Sequence, residues 1–224
     1  MIDSSMKGDD IMRYTVLLLM FSLFMYAAPV DNRTENIWIK VGKIYHIDPR
    51  LLYSIGKVES DIDRYIVAFT FNKMTPKQAQ DLSTFLRQNN IESKQHSQVI
   101  AIKSKNKMQA VAVVNYLYNN NYPRFDVGIM QINSIHKPLL DKAGISFADL
   151  FDPVVNIQVG AYILSKCFQR HGQHNYKDAI NAYNGKLDGN PYSGKVINEF
   201  EKLYGSYKPN QKLVFDAPYT SPKR

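Results

Sequence analysis

The 224-residue chain has a single cysteine, Cys167, a single tryptophan and no internal repeat. With one thiol no intramolecular disulfide can form, so the fold rests on its apolar core alone. Hydrophobic residues make up 45% of the chain, enough for one packed domain of ordinary size and too many for a wholly disordered protein. Cys167 reads as a small buried hydrophobe; with His171 four residues on, a catalytic thiol is the alternative. The five histidines (His46, His96, His136, His171, His174) share no spacing with carboxylates or cysteine that builds a metal site, so neither metal nor cofactor is expected.

A hydrophobic run long enough to span a bilayer is also missing. The longest apolar stretch, Val16 to Ala28, follows Arg13 and falls short of the roughly twenty residues that a membrane helix needs. Its basic flank and closing Ala27-Ala28 have the shape of a secretion signal over residues 1–30, although Pro29 leaves an uncleaved anchor as the alternative. Either way the rest of the chain is expected to be exported, periplasmic or secreted, with residues 31–205 as the domain and 206–224 as an extended tail.

Without Lys7, Arg13, Asp3, Asp9 and Asp10 of that leader, the remainder keeps a net charge of +9. An anionic partner is implied. Export argues against nucleic acid, and no membrane contact is expected unless the signal stays attached. Residues 66–124 carry eight basic groups, among them Lys94 and Lys103, against Asp81 and Glu92. They form either a solvated face or a surface that borders the substrate groove or contacts an anionic partner.

Asp48-Pro49 reads as the N-cap and first residue of a helix with Leu51, Leu52, Ile55 and Val58 as its apolar stripe. Thr34 or Asn36 caps the helix before it, through Ile37, Val41 and Tyr45. Glu59 falls on the Leu52–Ile55 stripe, where a carboxylate rarely goes without reason. Desolvation there would raise its pKa and keep a proton ready near neutral pH; the alternative is a helix-end glutamate reaching solvent.

Beyond it the pattern changes to strand, helix, strand and helix over about 66–121, then to a glycine-bearing loop, Val127 to Asn133. Helices resume: one from Asp152-Pro153 to near Gly172, one from about Lys177 to Tyr183, and a last through Val196, Phe200 and Leu203, stopped by Gly205.

Three segments in this order, Val58-Glu59-Ser60, Gly128-Ile129-Met130-Gln131-Ile132-Asn133 and Ala182-Tyr183-Asn184-Gly185, resemble the signature of the lysozyme-like (SLT-type) lytic transglycosylases. The closer similarity is to the small transglycosylases of conjugation, type IV and type III secretion and pilus systems. The resemblance covers roughly residues 35–205 and implies an α+β, mainly α fold: a lysozyme-like helical domain, here with an inserted β-α-β-α segment at about 66–121. It also implies a monomer acting on peptidoglycan glycan strands, with components of a secretion, conjugation or pilus apparatus as candidate partners.

By that resemblance Glu59 is the catalytic acid and base. Ser60 orients the glutamate or a sugar amide, Gly128 and Asn133 line the site, Met130 packs on a sugar face, and Gln131 donates to the glycan. Tyr183 and Asn184 hold Glu59 and the acetamido group. Two alternatives stay open: a hydrolytic muramidase whose second carboxylate is Asp126, and a non-catalytic wall-binding assembly factor.

Overall fold

The computed structural model describes residues 36–171, 175–187 and 189–206. The expected signal over residues 1–30, the tail after residue 206 and His174 lie outside them.

Capping chemistry sets the first two helices. Asn36 opens α1 (Ile37–Tyr45), its side chain accepting from the Trp38 amide at 3.0 Å, and His46 closes it in the left-handed region. Asp48 caps α2 (Pro49–Ser60) by accepting from the Arg50 amide at 2.9 Å, while Pro49 supplies a preset first residue. Leu51, Leu52 and Ile55 of α2 are fully buried. Asp61 and Ile62 both end the helix at positive φ, 57° and 63°. For a β-branched residue such as Ile62 that conformation is strained, and it turns the chain abruptly out of α2.

After this turn the chain alternates between strands and helices: β1 (Ile66–Thr70), α3 (Pro76–Gln88), β2 (Glu92–His96), β3 (Val99–Lys103), α4 (Lys107–Asn119), β4 (Phe125–Val127) and β5 (Ile132–Asn133). Thr75 and Gln78 form a reciprocal capping box at the start of α3. The strands make one antiparallel sheet in the order β2-β3-β1-β4-β5. The expected β-α-β-α segment is therefore β-α-β-β-α. Its extra strand, β2, is exposed along its whole length and polar, so it has none of the alternation that marks a strand in sequence. Nor is the segment an appendage, because β1 pairs with β3 on one side and with β4 on the other. The stretch from Val127 to Asn133, expected as a loop, is a tight turn between β4 and β5.

One sheet face is apolar. Val67, Phe69, Ile102, Phe125, Val127 and Ile132 share the core with Leu82 and Leu86 of α3 and Val113, Val114 and Leu117 of α4. A short helix, α5 (Lys137–Lys142), then leads to the helical half: α6 (Pro153–His171), α7 (Tyr176–Tyr183) and α8 (Tyr192–Tyr204). There α6 lies beside α1 and α7, and α2 packs on α8. Among the described residues no helix is long and apolar enough to cross a membrane.

Candidate active site

Glu59 is the penultimate residue of α2, one turn beyond fully buried Ile55. Its side chain is half-buried by exposed area, yet enough protein surrounds the carboxyl to push its pKa from 4.5 up to about 7. Desolvation is the main cause; the negative charge of Asp126 adds to it, and a hydrogen bond from Tyr192 works against it. The Tyr192 hydroxyl donates to Glu59 Oε1 in a short contact. Tyr192 is the first residue of α8 and nearly inaccessible, and Asn181 of α7 anchors the same helix end by accepting from the Ser193 amide at 2.8 Å.

Tyr192 is the residue that sequence reasoning missed. The last helix starts one turn earlier than the Val196-to-Leu203 stripe suggested, and a tyrosine at a helix start gives no signal by itself. The expected partner, Tyr183, instead donates to the Met130 carbonyl at 2.7 Å. Burial is the main reason its phenol pKa lies far above the usual value, with the Glu59 charge second, so Tyr183 stands near the acid without bonding it.

Most of the remaining motif secures the turn between β4 and β5. Gly128 adopts φ 75°, where a Cβ would also come within 2.4 Å of Asn156 Nδ2. Its amide donates to the Ile66 carbonyl at 2.9 Å, and its own carbonyl accepts from Gln131 Nε2 at 2.8 Å. The Gln131 amide is thus folded back on the turn rather than held out toward a glycan, and Gln131 itself sits at φ 44°.

Met130 corrects the expectation of a sugar-facing side chain. It is completely buried against α6, so close to Gly160 that a Cβ there would lie 2.7 Å from Met130 Cβ. Its peptide is held from both ends, since Asn156 Oδ1 accepts from the Met130 amide at 2.7 Å. Asn156 Nδ2 also donates to the Val127 and Leu150 carbonyls at 2.9 and 2.8 Å. This fully buried asparagine, unnoticed in the sequence, is the anchor of the turn; a polar residue on the packed side of a long helix was the available sign.

Ser60 turns away from the glutamate's oxygens. Its Oγ donates to the Ile129 carbonyl at 2.8 Å, pinning the end of α2 to the turn. Asn133 Nδ2 donates to Asp126 Oδ1 at 2.7 Å, and burial raises the Asp126 pKa from 3.8 to about 6 despite that bond. Asn184 is exposed at the end of α7 and accepts from Asn190 Nδ2 at 3.3 Å.

The site therefore presents a partly protonated carboxyl oriented by a tyrosine, with a second carboxyl, that of Asp126, in electrostatic reach. Cys167 offers no competing nucleophile, because burial raises its pKa and disfavours the thiolate. Among the described residues no three His, Cys, Asp or Glu are grouped to hold a metal ion.

Known proteins resemble parts of this chain in sequence. Over 101 residues the chain is 35% identical to the invasion protein IagB of Salmonella typhimurium, covering 41% of this chain and 62% of that protein. Over 104 residues it is 30% identical to the type IV secretion system protein virB1 of Brucella abortus, covering 43% and 39%. A peptidoglycan-binding-like protein of Escherichia coli O157:H7 is 50% identical over 56 residues, 24% of this chain and 34% of that one. The chain thus spans between about a third and three-fifths of the length of these relatives. No solved structure gives a significant match. The model of the transglycosylase SLT domain matches residues 36–190, from the cap of α1 to the approach of α8, and the chain belongs to that family.

Proposed function

We propose that the chain is a peptidoglycan lytic transglycosylase, cleaving the β-1,4 bond between N-acetylmuramic acid and N-acetylglucosamine and leaving a 1,6-anhydro muramoyl end. The observation that carries this reading is the Glu59 carboxyl, buried to a pKa of about 7 and aimed by the Tyr192 hydroxyl. Near neutral pH such a group is protonated often enough to donate to the glycosidic oxygen, and basic enough afterwards to take a proton back. In the second step the carboxylate draws the proton from the muramoyl 6-hydroxyl, whose oxygen closes on C1. The substrate supplies the nucleophile, and water is not required.

Two relatives have names tied to invasion and to a type IV secretion system. By that analogy the enzyme opens the wall locally for a secretion, conjugation or pilus apparatus, in the periplasm or outside the cell. A purely wall-binding role would leave no use for an acid prepared in this way.

Asp126 favours a second reading. It lies in electrostatic reach of Glu59 and is itself only partly ionised near pH 6, so it could serve as a base for water in a hydrolytic muramidase. Mass spectrometry of digested peptidoglycan separates the two: 1,6-anhydro products are expected, and reducing ends would establish hydrolysis instead. Glu59→Gln is expected to lower turnover by about a hundred- to ten-thousand-fold, and full activity in that variant would defeat both readings.

A further inference from the structure

The sheet has a second face, and its register places an unusual row of side chains beside the site. Directly opposed residues of antiparallel strands share a face. Asn133 of β5 opposes Asp126 of β4, Asp126 opposes Ala68 of β1, Ala68 opposes Ala101 of β3, and Ala101 opposes Lys94 of β2. The row thus runs from the candidate active site across two alanines to an exposed lysine at the sheet edge. On this face only Ile66 is buried; Ala68, Thr70 and Ala101 are half-buried and Val99 is exposed, so this is the more open side of the sheet.

Larger residues flank the alanines in the neighbouring rows: Ile66, Lys103 and Glu92 on one side, Thr70, Val99 and His96 on the other. Each flanking row lies about 7 Å from the alanines, two residues along the strands. The methyl groups therefore floor a shallow trough. From Asp126 to Lys94 it crosses three strand spacings, about 14 Å. Lys103 already pairs with Asp63 at 3.2 Å and faces Glu92, which leaves Lys94 as the cation at the trough's end.

From this register we infer that the trough takes the peptide stem of a muramoyl residue seated over Glu59 and Asp126, with the stem's terminal carboxylate at Lys94. The inference rests on the peptidoglycan reading above. An extended stem of four residues spans about 14 Å, the length available. The outer strands of the sheet, β2 and β3, would then serve to read whether a glycan carries peptide.

The test is calorimetric binding to the full chain carrying Glu59→Gln, with soluble glycan oligomers bearing tetrapeptide stems and with the same oligomers stripped of them. Stems are expected to tighten binding. Adding Lys94→Glu should reduce that preference about three- to tenfold, the scale of an exposed charge contact turned into a repulsion. Ala101→Tyr, which fills the trough with a residue that strands accept, should reduce it as well. Equal binding of both oligomers, or a preference that both variants keep, overturns the trough alone. Binding of neither oligomer overturns the peptidoglycan reading and the trough with it.

Discussion

Glu59→Gln removes a charge that its surroundings resist, so the substitution expected to lower turnover should stabilise the protein, and the gain should depend on pH. In the unfolded chain the carboxyl titrates near 4.5; folded, it titrates near 7, chiefly because burial penalises the anion. Between those values the native state holds a proton that the unfolded state has released, so stability falls as pH rises through that window. At about 1.4 kcal/mol per pH unit, the loss approaches about 3 kcal/mol above pH 7 and fades below pH 4.5. Glutamine is neutral throughout and escapes it. For a domain of this size about 1 kcal/mol moves the melting temperature by roughly 2–4 °C. The variant should then melt roughly 6–12 °C above the wild type at pH 8 and level with it at pH 4. Asp126, raised from 3.8 to about 6, adds a fall of its own between those values, but to both proteins, so the difference between their profiles isolates Glu59. Thermal unfolding followed by circular dichroism from pH 4 to 8.5 measures it. A difference that does not change with pH would show that the carboxyl is solvated in the folded state, and the acid–base account would lose its basis.

Tyr192→Phe deletes the donor that favours the Glu59 carboxylate. A hydrogen bond to a charged group contributes about 1.5–3 kcal/mol, so the pKa of Glu59 should climb by about one to two pH units. The alkaline limb of the kcat/KM profile should move up by the same amount, and a limb that stays in place would show that the bond does not reach the reacting proton. Gly128→Ala forces a side chain to within 2.4 Å of Asn156 Nδ2 at φ 75°. Strain and overpacking together should cost about 2–4 kcal/mol in denaturant unfolding, and a near-neutral result would mean that the turn is not clamped by Asn156.

Helix α2 was legible in the sequence because every local rule agreed. The Asp48 cap, Pro49 and the stripe through Leu52 and Ile55 all place Glu59 on the packed side. The Thr75-Pro76 start of α3 was legible for the same reason. The features that escaped notice depend on residues far apart in the chain. Tyr192 reaches Glu59 across 133 positions, and nothing near either residue announces the contact. The anchoring role of Asn156 exists only once α6 lies under the turn that carries Met130. β2 has no apolar face to betray it, since among the described residues β3 is its one strand partner and its side chains are exposed.

The same contacts explain why a motif of six residues, Gly128 to Asn133, accompanies a single acid. Gln131, Met130 and Gly128 spend their side chains or their backbone freedom on the turn itself, and Ser60 and Tyr183 tie α2 and α7 to its Ile129 and Met130 carbonyls. Two helices and the sheet are thereby locked to one short stretch of backbone. Glu59 sits at the end of one of those helices and Asp126 on the strand that enters the turn, so the spacing between the two carboxyls is set by this lock. The outer hairpin β2-β3 bears little on that spacing, because β4 and β5 keep their own pairing and their own anchor in Asn156. The chemistry and the outer strands are in this sense separable. Changes along β2 and β3 should alter which glycans are held, while changes around the turn should alter how fast any of them is cut.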